Sequence, residues 1–246
     1  MRKKRGSSRY YILFICIIFS LVAVGSGLKY LIKNLNILQI QSVTISGNRN
    51  LETEFLTNIS QDFLGKNLYE ISKTDVLKKY SNINRIKDIS ISRKLPNKLE
   101  ITIEEKKGYM YLCSKEGELF PLTKDYEILD NTQYFHNEIL PVISSDIPQN
   151  ELIIGEKISS AWLQEVYSIA EVLSECNLFD DISEFYRSSG EIVLVQSPIG
   201  FRIVLGQGDL KEKLERYKLL RDNRSFAKDS YIDLRFENKL IERPGV

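Results

Sequence analysis

The chain has 246 residues, 43% of them hydrophobic and 27% charged, a composition that builds a core and excludes wholesale disorder. Lys plus Arg number 34 and Asp plus Glu 33, for a formal net charge of +1, which argues against a dedicated nucleic-acid binder with its basic surface. A single histidine makes a multi-His metal site or a Ser-His-Asp triad hard to build, and a mean hydropathy of −0.21 excludes a polytopic membrane protein.

The averages hide an asymmetric start. Residues 1–9 carry Arg2, Lys3, Lys4, Arg5 and Arg9 and no acid. Tyr10 to Leu28 then runs uncharged for about 19 residues, the length that crosses a bilayer as a helix. The pattern predicts a single transmembrane helix over 10–32, with 1–9 cytoplasmic under the positive-inside rule and the bulk of the chain extracytoplasmic. A cleaved signal peptide is the competing reading, because Ala23, Gly25, Ser26 and Gly27 follow the apolar run. Its apolar region would be shorter, about 7–15 residues. Cys16 reads as a small hydrophobe inside the run. Cys113 and Cys176 do not make a disulfide framework, and their pairing is open.

Next comes a compact α+β pattern over 37–107. Ile40, Val43 and Ile45 predict a strand, and Ser46-Gly47-Asn48 a turn. Phe55, Leu56, Ile59 and Phe63 have helical spacing within Glu52 to Phe63, with Gly65 as the stop. Ser72 and Asp75 form a capping-box pattern for a second helix, whose apolar face is Val76, Leu77 and Tyr80. Ile86, Ile89 and Ile91 give a strand, 95–98 a turn, and Leu99, Ile101 and Ile103 a half-buried strand alternating with Glu100, Thr102 and Glu104. Strand, helix, helix, strand, strand is a small sheet with its helices on one face.

The region 108–241 reads as a second, β-rich domain with two to three helices, followed by a tail, 242–246. Ser114 to Phe120 is a turn and a short strand. Tyr126 to Ser145 is loop-like. Ile158 to Glu175 is a helix with a broad apolar face that takes in Trp162 as a core residue. Ile192 to Val195 and Phe201 to Leu205 are strands. Asp209 caps a basic helix, Leu210 to Arg221, in which Glu212 and Arg216 pair at i,i+4. A last strand begins at Tyr231.

Two groups of residues carry a resemblance. V-T-I-S-G-N-R-N (Val43 to Asn50) and the hairpin K-D-I-S-I-S-R-K-L-P-N-K-L-E-I-T-I-E-E (Lys87 to Glu105) resemble a POTRA domain. Within the hairpin Arg93, Pro96, Leu99, Ile101, Ile103 and Glu105 match the pattern of the FtsQ/DivIB family of bacterial division proteins. F-R-I-V-L-G (Phe201 to Gly206), K-E-K-L-E-R-Y-K-L-L (Lys211 to Leu220) and Y-I-D-L-R-F (Tyr231 to Phe236) are similar to pieces of that family's second domain. The chain departs from the family at Glu105-Lys106-Lys107-Gly108, where a proline is common. The resemblance implies a membrane-anchored, non-catalytic divisome scaffold at the division septum. Its fold would be α+β: one N-terminal transmembrane helix, a POTRA-type β-α-α-β-β domain, then the β-rich domain. It would recruit other single-pass division proteins, above all the FtsB/FtsL-type coiled-coil pair, through a C-terminal edge strand. The alternative is a POTRA-bearing envelope assembly or secretion component that binds extended polypeptide.

Nothing in the sequence announces chemistry. Walker, HExxH, CxxC and GxSxG patterns are absent, and no cofactor, metal, nucleic acid or small-molecule substrate is expected. Glu104 and Glu105 point to opposite faces of a strand and make poor catalytic partners. Gly206-Gln207-Gly208 before a helix is a candidate anion cradle, read first as a strand-to-helix turn. His136 is read as a surface residue in a loop. The expected contact set for a partner strand is Arg235, Phe236, Asn238, Leu240 and Ile241, with Tyr217 and Arg221 from the helix, because an unpaired edge accepts a strand and aromatic and Arg side chains anchor interfaces.

Overall fold

The computed structural model describes residues 7–34, 36–131, 138–198, 200–223, 226, 230–236 and 239–243; for the first helix, side chains are described over 11–27. His136 and Asn238 lie outside the described residues.

The first described element is helix α1, Ser7–Asn34. Among the described residues, no helix is long and apolar enough to cross a membrane. This corrects the expected transmembrane helix over 10–32. Within α1, Ser26 Oγ donates back to the Val22 carbonyl at 2.8 Å. The expected location, a single-pass protein of the bacterial cytoplasmic membrane with an extracytoplasmic bulk, rested on that helix and is corrected with it.

Two compact units follow from the packing. The first comprises the chain up to Asn48 with Glu52–Asn82 and Asp88–Glu104; the second takes Arg49–Leu51, Ile83–Lys87 and everything from Glu105 onward.

The first unit has the predicted β-α-α-β-β order: β1 (Ser42–Ser46), α2 (Thr53–Ser60), α3 (Lys73–Tyr80), β2 (Ile86–Lys94) and β3 (Lys98–Glu105). Strand β3 lies in the middle, parallel to β1 with Val43 opposite Leu99 and Ile45 opposite Ile101. Leu99, Ile101 and Ile103 are buried on one face, as their alternation requires. Leu56, Phe63, Val76 and Tyr80 cover them from the helical layer, and the Tyr80 hydroxyl donates to the Leu56 carbonyl at 2.8 Å. The capping box forms as the sequence predicts: Ser72 Oγ accepts from the Asp75 N–H and Asp75 Oδ2 from the Ser72 N–H. Helix α2 ends at Ser60 and tightens into a 3-10 turn over Gln61–Phe63 before Gly65. At Gly47 φ is +84° and a Cβ would sit 2.4 Å from the Ile103 carbonyl oxygen, so only glycine fits that turn. Arg93, a residue of the hairpin pattern, donates to the Leu68 and Ile71 carbonyls at 3.0 and 2.6 Å and holds the loop ahead of α3.

The second unit is an eight-stranded mixed sheet. Its members are β4 (Met110–Cys113), β5 (Leu119–Leu122), β6 (Val142–Ser144), β7 (Ile182–Ser188), β8 (Glu191–Gln196), β9 (Arg202–Val204), β10 (Tyr231–Asp233) and β11 (Ile241–Arg243), in the spatial order β11-β10-β9-β8-β7-β6-β4-β5. The parallel pairs β6–β7 and β9–β10 each need a crossover, supplied by α4 (Ala161–Glu175) and α5 (Leu210–Asn223). Leu163, Val166, Ala170 and Leu173 of α4 and Leu214 and Tyr217 of α5 join Phe185, Leu194, Ile203 and Ile232 of the strands in one core. Helix α4 starts at Ala161, later than expected, because Ser160 caps it, its Oγ accepting from the Leu163 N–H at 3.1 Å. Strands β4, β6 and β7 were not expected, β6 falling within the stretch read as loop. Cys113 and Cys176 are free thiols.

Candidate partner-binding edge

The far edge of the sheet is built by the segment β9-α5-β10-β11. Strand β10 runs parallel to β9, Ile232 opposite Ile203, and its ladder continues where the Leu234 N–H meets the Val204 carbonyl at 2.8 Å. Strand β11 then returns antiparallel, with Tyr231 opposite Arg243 and Asp233 opposite Ile241. No strand lies beyond β11 among the described residues. The expected edge, the strand beginning at Tyr231, is therefore an interior strand, and the open edge belongs to β11.

Two of the sequence patterns interlock here. Gly206 has φ +65° and a Cβ on it would meet Arg235 Cα at 2.8 Å and Cγ at 2.6 Å, so the missing side chain lets the chain at Arg235 pass. The cradle at Gly206-Gln207-Gly208 is filled from within. Lys213 is buried, and its Nζ donates to the Gln207 carbonyl and lies 3.4 Å from that of Leu205. Carbonyls converge there, a cation site occupied by the chain's own ammonium, which removes the anion reading. Asp209 caps α5 as expected, accepting from the Glu212 N–H at 3.0 Å, and Glu212 pairs with Arg216 at 2.7 Å.

Asp233 organises the edge. Its side chain is 3% exposed and accepts from Arg235 three times: Nε to Oδ1 at 2.9 Å, Nη2 to Oδ2 at 2.6 Å and the backbone N–H to Oδ1 at 3.1 Å. Arg243 of β11 adds Nη2 to Oδ2 at 3.2 Å. The Arg235 hydrogen bonds, with the charges of Arg235 and Arg243, hold the Asp233 carboxyl below the usual carboxylate range despite its burial. One carboxylate thus ties the end of β10 to β11, through charge-assisted bonds stronger than neutral ones.

The expected contact residues divide. Phe236 is 45% exposed, Arg235 is exposed while bound to Asp233, and Ile241 is half-buried on β11. Leu240 packs against the core. Tyr217 is 1% exposed and its hydroxyl donates to Gln196 Oε1; burial pushes its phenol up. Arg221 is paired with Asp181 and with Asp222. The helix residues therefore brace the core and the turn before β7, while the surface is left to Arg235, Phe236 and Ile241. Sequence reasoning passed over Asp233 and Arg243. The signal for Asp233 was an acid inside an apolar strand with an Arg two residues on.

Other titratable groups are engaged structurally. The Glu105 carboxylate accepts from three consecutive N–H groups, Arg49 at 2.8 Å, Asn50 at 3.0 Å and Leu51 at 3.1 Å. Arg85 is fully buried and meets Asp130 and Glu138 at 2.8 and 2.9 Å. No group of three or more His, Cys, Asp or Glu residues among the described residues is arranged to hold a metal ion.

Comparison with known proteins gives two family matches: the FtsQ-type POTRA domain over residues 38–106 and the C-terminal region of cell division protein FtsQ/DivIB over 102–235. The chain is 25% identical over 245 residues to cell division protein DivIB of Clostridium botulinum (strain Loch Maree / Type A3), covering 98% of this chain and 92% of that one. It is 28% identical over 141 residues to DivIB of Bacillus subtilis (strain 168), covering 57% and 49%, and 24% identical over 179 residues to DivIB of Geobacillus kaustophilus (strain HTA426), covering 71% and 64%.

Proposed function

The chain belongs to the FtsQ/DivIB family of cell division proteins, with an FtsQ-type POTRA domain, and is a non-catalytic scaffold of the division machinery; from this we propose that it captures FtsB/FtsL-type coiled-coil division proteins by taking a partner strand onto β11. The observation that carries the reading is the place of β11 at the open end of the sheet, with Phe236 and Arg235 exposed beside it. A strand added there gains affinity from backbone bonds, and the side chains choose the partner. Phe236 is the apolar anchor. Arg235, already bound to Asp233, keeps its outer face for a partner carboxylate. Asn238 belongs to the same stretch.

The test is capture of the FtsB/FtsL-type proteins of the same organism by the full chain and by Phe236→Ala and Ile241→Lys variants. Each variant is expected to lose at least tenfold in affinity with an unchanged thermal midpoint. Unchanged capture by two folded variants defeats the reading. In cells, depletion is expected to give filaments that the parent chain rescues and Ile241→Lys does not.

A further inference from the structure

The eight-stranded sheet opens between two interior strands. Strands β6 and β7 run in parallel register for two pairs, Val142 with Glu184 and Ile143 with Phe185. Beyond them β6 stays with β4, where Ser144 pairs with Cys113. Strand β7 stays with β8, where Tyr186, Arg187 and Ser188 face Val193, Ile192 and Glu191. From Tyr186 to Ser188 the other side of β7 has no strand beside it among the described residues. Ser189 and Gly190 form the two-residue turn into β8, so Ser188 and Glu191 exchange both bonds of a hairpin. Alternation then aims the N–H and C=O of Tyr186 at β8 and those of Arg187 into the opening.

A cavity of about 480 Å³ occupies this place, lined by Ser144, Asp146, Trp162, Glu184 and Arg187 among others. The volume is that of a ligand cleft. The position, outside the C-terminal end of β6 where the crossover helix α4 begins, is where open α/β sheets hold ligands. Its charges decide the ligand. The Arg187 guanidinium stacks 4.7 Å from the Trp162 ring centroid and pairs with Glu165, so the cation is committed. Trp162 is fixed by its Nε1–H to the Ser144 carbonyl at 3.1 Å, and the start of α4 is closed by Ser160. The carboxylates are less engaged. Glu184 accepts from Ser144 Oγ at 2.7 Å and meets no cation within ion-pair distance among the described residues, and Asp146 is exposed, with no ion pair among them either.

We propose that this opening is a second peptide-binding slot, distinct from β11, which takes an extended basic segment: its backbone pairs beside Arg187 and a Lys or Arg side chain lies between Asp146 and Glu184. The strand supplies backbone groups that no strand of the described residues pairs with, and the two acids select the cation.

Trp162 is the chain's one tryptophan, so its fluorescence reads this slot alone. The probes are the blocked pentapeptide Thr-Val-Lys-Val-Thr, the same peptide with Glu for Lys, and lysine amide. The lysine peptide is expected to shift Trp162 emission saturably in the full chain, with the glutamate peptide at least tenfold weaker and lysine amide without saturation. Asp146→Lys, an exposed change, is expected to weaken the lysine peptide tenfold, and Glu184→Gln to weaken it less. Ile241→Lys is expected to leave it unchanged. No saturable shift with the lysine peptide, equal binding of both peptides, or lysine amide binding as tightly as the peptide overturns the proposal.

Discussion

Arg85 and Asp130 lie forty-five residues apart in the chain and meet as a buried ion pair, Nε to Oδ2 at 2.8 Å. One guanidinium there serves two carboxylates, Asp130 and Glu138, and burial pushes the Asp130 carboxyl up to about 6 against the pull of Arg85, with Glu138 and Glu105 adding negative charge. A carboxyl raised in the folded state favours folding most while protonated. Its contribution is full below the unfolded carboxyl range and is lost as pH rises through about 6. Asp130→Asn imitates the protonated form. Relative to the parent, the variant is expected to gain stability between about pH 4 and about pH 7, by up to roughly 1.4 kcal/mol per pH unit. Urea denaturation of both proteins across that range checks it, and a pH-independent difference contradicts it.

Glu105 closes the loop after β1 by accepting from Arg49, Asn50 and Leu51. Glu105→Ala leaves those N–H groups without their acceptor and is expected to cost about 2–3 kcal/mol. Glu105→Gln keeps one oxygen and costs less. Urea midpoints give the loss, and hydrogen exchange at Arg49 to Leu51 is expected to quicken in the alanine variant. Unchanged exchange there means the carboxylate does not hold the loop.

The Asp233 carboxyl has the opposite sign. Hydrogen bonds from Arg235 hold it below the usual range, so its contribution is present above the unfolded carboxylate range and is lost as pH falls through the lower folded value. Asp233→Asn is expected to cost about 1–3 kcal/mol at neutral pH. The cost should begin to shrink as pH falls below about 4, where the unfolded carboxylate takes up its proton, and vanish once pH is below the lower folded value. Denaturation at neutral and acid pH distinguishes this from a pH-independent packing defect.

Phe236 and Tyr217 separate binding from folding. Phe236 is exposed and Tyr217 is buried with its hydroxyl on Gln196. Phe236→Ala is expected to change stability by less than about 0.5 kcal/mol. Tyr217→Phe is expected to lose about 1 kcal/mol and Tyr217→Ala about 3–5 kcal/mol. Calorimetric midpoints of the three variants test the ranking. A large loss in Phe236→Ala makes that ring a folding residue and removes it from the contact surface.

The first unit was legible because its strands are half-buried. Leu99, Ile101 and Ile103 alternate with polar neighbours, and Ser72 with Asp75 spells out a helix start. Strand β4 was not, because Met110, Tyr111 and Leu112 are all buried and a strand covered on both faces shows no alternation. Strands β6 and β11 are three residues each, too short to leave a period. The last strand is expected at Tyr231 for that reason: Ile241 reads as the end of the domain and Glu242 and Arg243 as tail until their pairing with β10 is seen. Tyr217 is expected at the partner contact, although it shares the buried helix face of Leu214.

The domain join has a practical consequence. Residues 83–87 and 49–51 precede β3 in the chain yet fold with the later unit. A fragment excised at residue 108 would therefore keep Asp130 and Glu138 and discard Arg85, trading a neutralised interior for two stranded carboxylates. A dissection that starts upstream of residue 49 spares that damage, and any swap of POTRA modules between relatives has to carry the Arg85 and Glu105 anchorages along with it.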